Sequence, residues 1–276
     1  MLSFLLVFLF GLVIGSFLNV VIARVPERQS VITPRSRCPH CSTPIAPYDN
    51  IPVLSFLWLR GRCRHCREKI AILYPVVELL TGLAFVAAYG KFDWTPSFPL
   101  NALFFSALIA LIFIDLRHRI LPDIITLPLI LIGLFLSYIQ DPSLIESRFL
   151  ARLFDLQMPW QRIAVHATAS LLGILLGGGA LWAVAVAYLK LRKIEGMGMG
   201  DVKLMAAVGA FLGWSLAWLT IFIGSLLGAI IGSAYIASRR KGLQYELPFG
   251  TFLGFAAIVS ALWGPDLIDW YSSFYR

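Results

Sequence analysis

The feature that most constrains this chain is a succession of long apolar stretches. Eight of them, near residues 2–23, 72–90, 98–115, 121–139, 164–190, 202–218, 219–237 and 248–264, approach or reach the length needed to cross a bilayer. A spanning helix takes about 20 apolar residues. In lipid the backbone must satisfy its own hydrogen bonds, so such stretches form helices. Charged residues make up only 14% of the chain, against about 25% in a soluble domain. The mean hydropathy of +0.80 also leaves too much apolar surface for a water-soluble core. The predicted fold class is therefore an all-α polytopic membrane protein of about eight transmembrane helices.

Orientation follows from the basic residues. The first stretch lacks the basic n-region of a cleavable signal and is predicted to stay as a helix. The sixth and seventh stretches share one apolar run, split here at 213–218, where Trp214 and Trp218 suggest an interfacial turn. One long broken helix is the alternative, and it would invert everything that follows. With the split, and with 24–71 in the cytoplasm, 18 of the 23 Lys and Arg residues fall on the cytoplasmic side. That asymmetry is the positive-inside pattern of a membrane protein. The net charge of +8 thus reflects topology, and no nucleic-acid partner is predicted. The resulting division is a first helix at 1–23, a cytoplasmic segment at 24–71, a transmembrane core at 72–264 and a non-cytoplasmic tail at 265–276. No internal repeat or low-complexity tract stands out.

All four cysteines lie in the 24–71 segment, as Cys38-Pro39-His40-Cys41 and Cys63-Arg64-His65-Cys66. Each short turn can aim two thiolates at one metal, and two turns complete a tetrahedron. A reducing cytoplasm disfavours disulfides. Cys38, Cys41, Cys63 and Cys66 are therefore predicted to hold a structural zinc, making this segment a zinc-knuckle insertion between helices 1 and 2. Four cysteines leave no open position for catalysis, and His40 and His65 are read as solvated. A metal clip would fix a segment that has too few apolar residues for its own core.

Ionisable residues at the edge of apolar helices are rare and usually functional. Asp115 closes the third stretch, and Asp201 opens the sixth after Gly196, Gly198 and Gly200. Each has a plain alternative: Asp201 as a helix N-cap, and Asp115 as a partner of Arg117 or Arg119. Glycines just before Asp201 remove side chains and let another backbone approach. Two carboxylates sharing one proton are what an aspartic peptidase needs, one to activate water and the other to polarise the scissile carbonyl. Asp123 after Pro122 is read as a helix cap, and Lys203 as snorkelling to the interface. Glu78, inside the second helix, is read equally as an ion-pair partner for the basic segment or as a polar contact for substrate or cofactor.

Several motifs then follow in a recognisable order. They are the run Gly15 to Pro26, the two cysteine pairs, Tyr74 to Gly82, Ile114-Asp115 through Leu121-Pro122-Asp123, Gly198 to Leu204, and Pro248-Phe249-Gly250. From about residue 11 to about 255 the chain resembles the bacterial type IV prepilin peptidases, which are GxGD aspartic membrane peptidases. The resemblance implies a multi-pass enzyme of the bacterial inner membrane with Asp115 and Asp201 as its catalytic pair at the cytoplasmic face. It implies substrates that are type IV prepilins or type II secretion pseudopilins, cut after a short basic leader. It also implies methylation of the new amino terminus with S-adenosylmethionine, because the cysteine-bearing segment accompanies the bifunctional form. Tyr74 and Glu78, next to that segment, are the candidates for the methyl-donor site. The stretch Arg117-His118-Arg119 is more basic than the family pattern. The alternatives are a peptidase without methyl transfer, a non-enzymatic zinc-knuckle scaffold and a proton-coupled transporter. A scaffold would tolerate asparagine at 115 or 201. A transporter would place its carboxylates nearer mid-bilayer. Neither the oligomeric state nor the identity of the pilin is legible.

Overall fold

The computed structural model describes residues 1–139, 159–193, 197–239 and 248–274, with side chains described outside 159–162 and 235–239. Gly196, Arg148, Arg152, Arg240 and Lys241 lie outside the described residues, as do the side chains of Arg162 and Arg239. The described elements are all helical: α1 (Leu2–Arg24), a short α2 (Leu54–Trp58), α3 (Leu73–Phe92), α4 (Ser97–His118), α5 (Asp123–Leu136, extended by a 3-10 turn to Ile139), α6 (Pro159–Gly173), α7 (Gly179–Arg192), α8 (Met199–Arg239) and α9 (Phe249–Ser273). A π turn at Ile174–Gly178 joins α6 to α7. The only β pairing among the described residues is two isolated bridges, Arg37 with Pro44 and Arg62 with Lys69.

Six helical runs among the described residues are long and apolar enough to cross a membrane, and Asp123–Ile139 is a shorter seventh. The longest, α8, has 41 residues but is broken at Gly213, with φ 79° and ψ 179°. A residue with a side chain rarely adopts that φ, so glycine permits the break. The break is a reversal. A Cβ on Gly177 would lie 3.0 Å from Met205 O and 3.1 Å from Ala217 Cβ. Residues twelve apart on a straight helix are about 18 Å apart. Residues 205 and 217 therefore belong to two antiparallel arms, so α8 comprises two apolar helical segments. The split falls at the first residue of the 213–218 stretch rather than in its middle. The last helix continues through Pro265 to Ser273, so 265–273 of the expected tail is helical.

The chain forms two compact units, Met1–Ala110 and Leu111–Arg276, with α4 contributing to both. In the first unit α1 packs on α3 through small residues. Gly11 abuts Gly82, with a Cβ at Gly11 meeting Gly82 Cα at 2.8 Å, and Gly15 abuts Glu78 Cα at 2.6 Å. Between helices in lipid, close backbone approach of this kind supplies the packing that the hydrophobic effect supplies in water. In the second unit Gly173 and Gly209 meet backbone to backbone, and Gly133 receives Phe211. Ser170 Oγ donates to Ala210 O at 2.8 Å across the same contact. The lower arm of α8 is thereby held fast, and its first turn carries Asp201.

Candidate functional site

Asp115 lies one turn before the end of α4 and is buried, with 5% of its surface exposed. Its Oδ2 accepts the Thr251 backbone N–H at 2.7 Å, and Thr251 Oγ1 lies 3.0 Å from the same oxygen. Asp201 is the third residue of α8, and its own N–H donates to Gly198 O at 3.1 Å. It therefore sits inside the first turn, three residues past the N-cap position at Gly198. The two carboxylates converge on Gly250, at the start of α9. A Cβ at that residue would lie 3.0 Å from Asp201 Oδ1, 3.1 Å from Asp115 Oδ2 and 2.8 Å from Leu121 Cδ1. Gly200 packs on Leu121 Cβ, whereas among the described residues only Gly200 N comes within 4 Å of a Cβ at Gly198. Of the two described glycines expected to make room, one accommodates Leu121 and the other stays open among the described residues.

Thr251, Gly250 and Leu121 are the members of this site that the sequence alone did not assign. Pro248-Phe249-Gly250 was a motif without a role, and a Gly-Thr pair opening a helix is too common to mark a site. Asp123 and Lys203 do not act separately as cap and snorkel: Lys203 Nζ donates to Asp123 Oδ1 at 2.6 Å. The pair ties the start of α5 to the first turn of α8.

The second cluster lies within 24–71. The four Sγ atoms of Cys38, Cys41, Cys63 and Cys66 lie within 4.8 Å of one another. Cys38 and Cys66 are 3.8 Å apart, and all four thiols are free. Tetrahedral zinc with Zn–S bonds of about 2.3 Å sets its sulfurs about 3.8 Å apart, so the donor set fits that ion.

The two turns that carry the cysteines are built alike, 25 positions apart. Cys38 N–H donates to Thr43 O and Cys63 N–H to Glu68 O; Ser42 N–H donates to Cys38 O and Arg67 N–H to Cys63 O. Ile45 N–H to Ser36 O is matched by Ile70 N–H to Gly61 O. This local duplication escaped the sequence because the turns share few residues besides Cys-x-His-Cys.

The thiols do not ionise alike. Hydrogen bonds from the Thr43 side chain and backbone bring Cys41 down to about 6. The Glu68 N–H pulls Cys66 downward, but burial and the three neighbouring thiols outweigh it and push it up to about 12. Four sulfurs this close need a cation to be thiolates together. Arg64 fastens the second turn by donating to both carboxylate oxygens of Asp49, at 2.8 Å from Nε to Oδ2, and this holds Asp49 below its usual range.

Glu78 is buried in α3. Its Oε2 accepts the Val53 backbone N–H at 2.8 Å, and its Oε1 lies 3.5 Å from Asn19 Nδ2. Asn19 Nδ2 also donates to Tyr74 O at 3.1 Å, while the Tyr74 side chain remains exposed. Of the two even readings of Glu78, the geometry shows a third role, an acceptor for a loop backbone.

Residues 9–92 match the bacterial peptidase A24 N-terminal domain, and residues 102–233 match the type IV leader peptidase family. The chain is 39% identical to a prepilin leader peptidase/N-methyltransferase of Aeromonas salmonicida (strain A449), over 99% of this chain and 94% of that protein. It is 40% identical to the same-named protein of Aeromonas hydrophila, over 98% and 94%. It is 34% identical to that of Legionella pneumophila, over 99% and 95%. No solved structure is significantly similar to it.

Proposed function

Because this chain belongs to the type IV leader peptidase family, we propose that it is a membrane aspartic endopeptidase that removes the leader from type IV prepilins or type II secretion pseudopilins and then methylates the new amino terminus. The observation that carries the peptidase assignment is the convergence of Asp115 Oδ2 and Asp201 Oδ1 on one point at Gly250, each about 3 Å from it. Two carboxylates this close, Asp115 buried and Asp201 half-buried, share a single proton, because both cannot readily be charged. One takes a proton from the attacking water and the other hydrogen-bonds the scissile carbonyl as charge develops on it. Thr251 N–H fixes Asp115 Oδ2 as an acceptor, so the shared proton is carried by Asp201 or by the other oxygen of Asp115. The side at Gly198 that is open among the described residues supports approach of an extended substrate strand.

The enzyme works in the bacterial inner membrane with this site at the cytoplasmic face, as the bias of 18 in 23 basic residues supports. Cys38, Cys41, Cys63 and Cys66 hold a structural zinc, which supplies a cross-link for a segment without its own core. S-adenosylmethionine supplies the methyl group. Glu78 is already engaged by Val53 and Asn19, which leaves the exposed Tyr74 as the member of that pair open to a ligand.

The test is cleavage of a prepilin in reconstituted vesicles by wild type, Asp115→Asn and Asp201→Asn, each shown to be folded. Both variants are expected to lose cleavage by a factor on the order of 10² to 10⁴, the range of general acid–base catalysis. Full cleavage by either variant would return that aspartate to a structural role.

A further inference from the structure

The helix ends of the first unit give a depth gauge for the loop between the cysteine pairs. The 20 residues of α3 span about 30 Å, the thickness of the hydrocarbon core, so Leu73 lies near its boundary. Glu78 is five residues further in, and Asn19 is five residues before the end of α1, each about 7 Å inside by helical rise. A helical side chain leans toward the N-terminus, which brings the Glu78 carboxylate back toward the boundary. The Val53 N–H is held on that carboxylate at 2.8 Å. The loop backbone at residue 53 therefore lies at the level of the headgroup–acyl boundary.

Val53 adopts φ 60° and ψ −48°, and Leu54 N–H donates to Pro52 O across it at 2.5 Å. This is the rare, positive-φ form of γ-turn, strained for a β-branched residue. Such strain persists where neighbours hold it, and Glu78 is the holder here. The turn aims α2. On its inner side Phe56 packs on Gly61, and Ser55 Oγ donates to Tyr48 O at 2.9 Å. On its outer side Leu54, Leu57 and Trp58, spaced to share one helical face, are 64%, 64% and 84% exposed. The exposed basic residues Arg60, Arg62, Arg67 and Lys69 follow immediately. An apolar face flanked by cations at boundary depth complements one surface, a leaflet of anionic lipid.

We infer that residues 51–58 dip into the headgroup layer of the membrane, with Leu54, Leu57 and Trp58 buried among lipid and the following basic residues on anionic headgroups. The zinc-knuckle segment is thus moored to the bilayer between its two metal-binding turns.

The test uses full-length protein in vesicles containing anionic phosphatidylglycerol. The emission difference between wild type and Trp58→Phe isolates Trp58, whose exposed ring makes that substitution structurally mild. Lipids brominated near the headgroup are expected to quench this emission at least about twofold more than lipids brominated near the chain end, as an interfacial depth of 5–10 Å requires. Leu57→Glu is expected to lower the bromolipid quenching of Trp58 and to raise its quenching by acrylamide. Strong acrylamide quenching of wild type without bromolipid quenching would place the segment in water and overturn the inference. Resistance to both quenchers would mean that protein covers the face, and would overturn it equally.

Discussion

The cysteine cluster and the carboxylate pair solve the same problem, holding reactive side chains within a few ångströms, by opposite means. The cysteines sit on turns of a segment with almost no buried side chains, where the one buried ligand is Cys38. Their geometry comes from a duplicated set of backbone hydrogen bonds, which gathers four sulfurs that could hold a metal ion. The aspartates sit at helix starts and ends, placed by helices that touch through glycine. Leu121, Gly250 and Thr251 pack around them. A loop without a core depends on a ligand for its shape, whereas a helix bundle sets its chemistry by packing.

The largest effect expected from that contrast is metal removal. Chelation, or Cys66→Ser, is expected to unfold 24–71, because a structural zinc site contributes about 10 kcal/mol or more to folding. Hydrogen exchange across residues 36–70 would report it, while prepilin cleavage persists. Loss of cleavage in step with exchange would show that the two sites are not independently built. Next in size is Gly250→Ala, whose methyl would press on both carboxylates and on Leu121 at 2.8–3.1 Å. Cleavage is expected to fall on the order of 10²-fold, as for misplaced catalytic groups, with zinc content unchanged.

Thr251→Val keeps the backbone donor to Asp115 and removes only the hydroxyl. Its expected loss is about tenfold at most in kcat, from the 0.5–1.5 kcal/mol of one hydrogen bond. The smallest effect belongs to Lys203→Met. Its ion pair with Asp123 is largely exposed and is worth less than about 1 kcal/mol. The expected result is a small fall in Tm in moderate salt; a large fall would mean that the pair fixes the site.

Much of this was legible in the sequence, for physical reasons. Lipid forces helices, so the apolar stretches announced the segments, and Trp214 and Trp218 suggested the turn that the structure places at Gly213. The Cys-x-x-C spacing announced a metal turn because both sulfurs must reach one point. The Asp115–Asp201 contact was only an expectation, since 86 positions separate them and nothing local records their meeting. Gly250 and Leu121 stood in motifs without an assigned role, and Thr251 went unmarked, for the same reason. Glu78 was read equally as an ion-pair partner or as a polar contact for substrate or cofactor, and in the structure the backbone of the strained turn at Val53 supplies its donor. Backbone donors leave no trace in residue identity.

The most direct test of a peptidase pair built separately from the cysteine-bearing unit is to assay Asp115→Asn and Asp201→Asn on two substrates, an intact prepilin and a pilin already cleaved. The account predicts that both variants fail to cleave the first and still methylate the second at the wild-type rate. Cleavage by either variant, or loss of both activities together in a folded protein, would contradict it.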